Sequence, residues 1–134
     1  MINKYFLEEP NILDLSKEIF NAVVDKNLKI ETRFELISKK IEDAETVNFI
    51  LADGLGFSNL QSTDSFLNKH INNVVNTTFP SSTNVALTTI AMQANPIDHG
   101  VFSYYMYDKL KYGLVNALNW NSENKNLLLS KYFN

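Results

Sequence analysis

The chain contains no cysteine, which excludes disulfide staples and thiolate metal sites. It has no excess of basic residues. The formal net charge is −3, so it lacks the positive footprint of a nucleic-acid-binding surface. No apolar stretch approaches the ~20 residues of a membrane-spanning helix. The opening MINKYFLEEPN lacks the apolar core of a signal peptide. A cytoplasmic protein with no membrane or nucleic-acid partner is expected. Glycine and proline are scarce, with four and three copies, so each one punctuates the chain. What remains is ordinary. The 134 residues are 45% hydrophobic and 20% charged, which suits one domain with a modest core and argues against wholesale disorder.

The chain is organised around Val47 to Gly56, VNFILADGLG. A short apolar run stopped by Asp53 and Gly54 reads as a buried strand feeding a tight turn. Val47 to Ala52 is expected to be the most buried strand, with neighbours on both edges. Ligands of open α/β sheets bind outside the carboxyl ends of strands, which is where Asp53 would stand. Gly54 has no Cβ and can take positive φ or let a ligand approach the backbone. The plainer reading is that Asp53 only caps the next turn.

Upstream, Ile12, Leu15, Ile19 and Val23 recur at helical spacing, with Phe20 and Val24 widening the stripe. Asn11 and Asp14 can cap that helix. Thr32 and Glu35 read as a capping box before a second helix with Phe34, Ile37 and Ile41 on its apolar face. Downstream, Phe57 to Leu60 starts a short helix, and Asp64 can cap another, SFLNKH. Val74 to Thr77 reads as a brief strand broken by Phe79-Pro80. VALTTIAM reads as a buried helix, stopped before Pro96. Val101 to Tyr107 and Tyr112 to Trp120 read as extended, and Asn121 to Lys125 as a polar turn. Helices alternating with strands indicate an α/β domain.

Ser81, Ser82 and Thr83 precede VALTTIAM. Free N–H groups and the positive dipole end make a helix start a natural anion site. A hydroxyl there can act as a nucleophile on phosphorus once it is activated. The plainer reading makes these residues N-caps.

Five motifs occur in order: DGLG (53–56), TTFPSST (77–83), ALTT (86–89), NPIDHG (95–100) and NALNW (116–120). In sequence and rough spacing they resemble the alkaline phosphatase superfamily, nearest its type I phosphodiesterase and nucleotide pyrophosphatase branch. The resemblance covers residues 11 to 122. It implies the N-terminal part of an alkaline-phosphatase-like three-layer α/β sandwich with a mostly parallel sheet. It also implies a metal-dependent phosphoric ester hydrolase with two divalent metals, commonly zinc, acting on a small phosphoester or nucleotide. Asp53 matches a metal ligand. Thr83 matches the nucleophile, which also contacts metal, and the amide of Asn84 would stabilise developing charge. Thr78, directly before Phe79-Pro80, is the alternative nucleophile. Where the family has a Thr-Gly pair, this chain has Met92 and Gln93, so the local turn is expected to differ. Tyr104 stands where some phosphodiesterases carry a phosphate-binding Asn.

The family's remaining ligands, Asp-x-x-x-His, Asp-His and a final His, are absent here. His99 matches a structural turn, and His70 matches no ligand. A catalytic zinc needs about three protein ligands, so the chain reads as a single, incomplete domain that is inactive alone. Its uncovered apolar surface is expected to favour self-association. The rival is a non-catalytic binding or assembly module, or a decayed remnant of the family. Tyr104, Tyr105 and Tyr107 read as a half-buried strand or a stacking wall, Trp120 as core, and Asp98 as a turn residue.

Overall fold

The computed structural model describes residues 9–24, 34–110 and 112–122. They fall into two compact units, Met1–Asn76 and Thr77–Asn134.

In the first unit, α1 spans Ile12–Val24. Its start is fixed by a reciprocal cap. Asn11 Oδ1 accepts the N–H groups of Leu13 and Asp14 at 2.8 and 3.2 Å, and Asp14 Oδ2 accepts the N–H of Asn11 at 3.1 Å. Two helical donors and one preceding donor are thereby satisfied. The buried face is Leu13, Ser16 and Glu18. The stripe expected to be buried is half-buried at Ile12, Leu15 and Ile19 and exposed at Phe20, Val23 and Val24. A second helix, α2, spans Glu35–Glu42 and packs on α1. It starts after Phe34 with no side-chain cap, and Phe34 and Ile41 are buried. Thr32, the expected cap, lies outside the described residues. A parallel bridge joins Asn11 to Asn76, with Ile12 N–H donating to Asn76 O and Asn76 N–H to Pro10 O. This single bridge is all that forms of the brief strand expected at Val74 to Thr77.

Val47 to Ala52 is not a strand. The six residues are irregular and exposed, with Ile50 at 87%. Phe49 makes a tilted ring contact with Phe20 of α1, with centroids 6.4 Å apart. An apolar run becomes a strand only by pairing its N–H and C=O groups with a neighbour, and among the described residues no strand runs beside this one. The short helices α3 (Phe57–Gln61) and α4 (Phe66–Lys69) follow. The cap of α4 is Ser65, whose hydroxyl accepts the Asn68 N–H at 3.1 Å. Asp64, expected in that role, pairs with Lys69 at 2.9 Å instead.

The second unit is built on α5, Thr83–Met92. Val85, Val101 and Ala117 form its core, with Met106 and Trp120 packed against them. The helix ends at Gln93 in the left-handed region, φ +50°. Next comes α6, Pro96–His99, with proline in its first turn and Gly100 at φ +74° closing it through an N–H bond to Pro96 O. Three strands follow in the order β1 (Tyr105–Asp108), β2 (Gly113–Asn116), β3 (Asn121–Ser122). Both pairings are antiparallel: Met106 faces Val115, and Val115 faces Ser122. The mixed α and β character matches the sequence reading, but the mostly parallel sheet does not form in these residues. Strands joined by a few residues can only fold back on each other, because parallel pairing needs a crossover of a dozen or more. Asn121 and Ser122, expected in a turn, close the sheet as β3.

Candidate functional site

Asp53 and Gly54 form the turn that ends the apolar run, with Gly54 at φ +71° and the Gly56 N–H donating to Gly54 O at 3.2 Å. A Cβ at Gly54 would meet nothing within 4 Å, so the glycine serves backbone conformation and not close packing. A cavity of about 270 Å³ opens elsewhere in this unit, lined by Ile37, Ile41, Ala44, Val47 and the Lys40 side chain. Asp53 does not line it.

Thr83 is the first residue of α5. Such a position leaves the first-turn N–H groups without intrahelical partners, and the N-cap residue Ser82 makes no side-chain cap bond to them. Ser82, at the cap position, turns its hydroxyl to Asn84 Oδ1 at 2.9 Å. Thr83 Oγ1 accepts a 2.9 Å hydrogen bond from the Tyr104 hydroxyl. The capping reading of these hydroxyls therefore fails at Ser82.

Asn84 is 2% exposed, and its side-chain amide donates to Ser103 O at 2.6 Å. That amide holds the segment leading to Tyr104. Any charge-stabilising role at position 84 falls to its backbone N–H in the first turn. Thr78, the alternative nucleophile, is buried, and its hydroxyl donates to Pro80 O at 2.8 Å across a cis Phe79-Pro80 bond.

His99 holds the far end of α5. Its Nδ1 accepts the Val101 backbone N–H at 3.1 Å, and its Nε2 lies 3.0 Å from Thr89 Oγ1. Desolvation lowers its pKa below the ordinary 6.5, against the opposing field of Asp98. The structural role read for the His99 turn agrees with this geometry. His70 stacks on Phe66 with centroids 4.1 Å apart, and its Nδ1 lies 2.7 Å from Phe66 O. Trp120 packs on the core as expected, while Tyr105 and Tyr107 stay exposed on β1.

Sequence reasoning missed the pairs Thr83–Tyr104, Asn84–Ser103 and Thr89–His99. The available signal was Asn84 and Thr89 among the apolar residues of the helix, polar groups that burial obliges to find a partner.

Among the described residues, no group of three or more His, Asp or Glu side chains is gathered to hold a metal ion. Asp53 and Thr83 alone do not make the donor set of a zinc centre. Among the described residues, no helix is long and apolar enough to cross a membrane. The chain matches no protein-family model, no curated protein and no solved structure.

Proposed function

We propose that this chain is the N-terminal part of a phosphodiesterase or nucleotide pyrophosphatase-type hydrolase of the alkaline phosphatase superfamily, with Thr83 as nucleophile. The observation that carries the reading is Thr83 itself, the first residue of α5, with its hydroxyl oxygen hydrogen-bonded to Tyr104. A helix start favours the negative charge of a phosphoester oxygen. Thr83 Oγ1 gives up its proton and attacks phosphorus, the P–O bond to the leaving alcohol breaks, and that alcohol departs with a proton. Water then cleaves the covalent threonine–phosphorus bond to release the phosphoryl product and restore the hydroxyl. Thr78 is a poorer choice because its hydroxyl is buried and turned onto Pro80. The two divalent metals of the zinc type that the resemblance implies, with Asp53 and Thr83 among their ligands, need donors the described residues do not gather. In this proposal those donors follow later in an alkaline-phosphatase-like α/β sandwich.

The test is the coding sequence downstream of Asn134. An open frame carrying Asp-x-x-x-His, Asp-His and a final His is expected. The continued protein should hydrolyse bis-p-nitrophenyl phosphate, and Thr83→Ala should abolish that turnover. A stop codon after Asn134, or full turnover in Thr83→Ala, overturns the reading.

The exposed apolar residues Val47, Phe49, Ile50, Leu51, Leu55 and Phe57 favour a second reading, a non-catalytic assembly module that self-associates.

A further inference from the structure

His99 uses both ring nitrogens. A backbone N–H can only donate, so Nδ1 facing Val101 N must carry a lone pair. The neutral ring then holds its proton on Nε2 and donates it to Thr89 Oγ1. Thr89 is 1% exposed, so this hydroxyl depends on a protein partner. One imidazole thus ties the body of α5 to the chain leaving α6. That chain is fixed again two residues on, where Asn84 Nδ2 donates to Ser103 O, and it ends at Tyr104, whose hydroxyl reaches Thr83.

The imidazolium cannot make the same set of bonds. With a proton on Nδ1, the ring presents N–H to the N–H of Val101, donor against donor. We infer that His99 is an acid-released latch, whose protonation unhooks Val101 and loosens the segment 101–104, which carries Tyr104 to Thr83, at its first residue while Asn84 still holds Ser103. Control of a nucleophile by this latch rests on the reading of Thr83 given above, whereas the latch itself does not.

The charges around the ring are few. Asp98, on the same short helix, favours the imidazolium. The α5 helix, TNVALTTIAM, contributes no titratable side chain. Burial opposes protonation and outweighs Asp98, so the folded pKa lies below the unfolded 6.5. A His with a depressed pKa stabilises the native arrangement fully above the unfolded value. That contribution is lost as pH falls from about 6.5 through the folded pKa. The latch is closed at neutral pH and opens in acid.

The full chain labelled with nitrogen-15 provides the test. Long-range proton–nitrogen spectra report the tautomer and titration of His99, and amide exchange reports Val101. The Nε2–H tautomer is expected at neutral pH, with a midpoint below 6.5. Val101 protection, corrected for intrinsic exchange, should fall at least tenfold between pH 7.5 and 5 with the same midpoint, and the Thr83 and Tyr104 signals should move with it. His99→Asn keeps an acceptor near the Nδ1 position but cannot titrate, so its Val101 protection should not change with pH. An Nδ1–H tautomer at neutral pH overturns the latch. So does Val101 protection that persists while His99 protonates, or an equal acid loss in His99→Asn. No readout involves hydrolysis, so a catalytically idle Thr83 leaves the latch standing, and a failed latch leaves the hydrolase reading intact.

Discussion

The hydroxyl of Tyr104 donates a 2.9 Å hydrogen bond to Thr83 Oγ1, joining the residue before β1 to the first residue of α5. Tyr104 is 39% exposed, so water competes for both groups and the bond is worth less than a buried one. A double-mutant cycle with Tyr104→Phe and Thr83→Val should give a coupling of about 0.5 kcal/mol. Trp120, the only tryptophan, packs on the core of this unit and reports its unfolding in urea by fluorescence. A coupling of zero would mean that the pair does not form in solution.

Asn84→Ala tests a second bond in the same unit. It removes a buried amide and leaves Ser103 O without its 2.6 Å donor. The expected loss is about 1 kcal/mol, that of one net hydrogen bond, because Ser103 is exposed and its carbonyl can turn to water. Urea denaturation followed at Trp120 checks the figure. A loss below the ~0.5 kcal/mol typical of surface sites would show that the buried bond contributes nothing.

The two left-handed helix ends call for opposite substitutions. Gln93 sits at φ +50°, a conformation that Gly adopts freely and side-chain-bearing residues do not. Gln93→Gly should raise stability by about 0.5 kcal/mol, after the extra freedom Gly gives the unfolded chain is counted. Gly100 sits at φ +74°, and an added Cβ would meet nothing within 4 Å. Gly100→Ala should therefore cost about 1 kcal/mol from backbone strain alone. Equal signs for the two changes in thermal melts would refute the argument.

Asn11→Ala opens the capping box of α1. Asn11 Oδ1 serves two helical N–H groups, so about 1 kcal/mol should be lost in the first unit. Amide exchange at Leu13 and Asp14 reads this directly, with a roughly fivefold faster exchange expected at the ~1 kcal/mol level. Asn11→Asp keeps an acceptor and should restore protection.

The purified chain, given excess zinc or manganese, should not turn over bis-p-nitrophenyl phosphate at an enzymatic rate. A Thr hydroxyl is a weak nucleophile unless something activates it, and the described residues gather no metal-binding group. Robust turnover that Thr83→Ala removes would show that a complete site assembles from this chain alone.

Short-range signals were legible in the sequence because their partners lie within a few residues. Asn11 and Asp14 bond to each other, a helix starts where Ser82 and Thr83 stand, and it has ended before Pro96. Gly54 takes positive φ, one of the two uses read for its missing Cβ. Met92-Gln93, read as a departure that would change the turn, ends α5 with Gln93 in the conformation a glycine favours. Local sterics and adjacent donors fix all of these, wherever the rest of the chain lies.

Tertiary structure decided the rest. The apolarity of Val47 to Ala52 marks the run as fit for burial, but burial and strand pairing require a neighbour that the run cannot encode. The antiparallel order of β1, β2 and β3 follows from a connection too short to cross over. Tyr104 reaches Thr83, and His99 reaches Thr89, only because the chain turns back after α5 and again after α6. A hydrogen bond between residues far apart in sequence leaves no periodicity behind. Its cause is the packing of Val85, Val101 and Ala117, which brings the segments together and obliges their polar groups to pair.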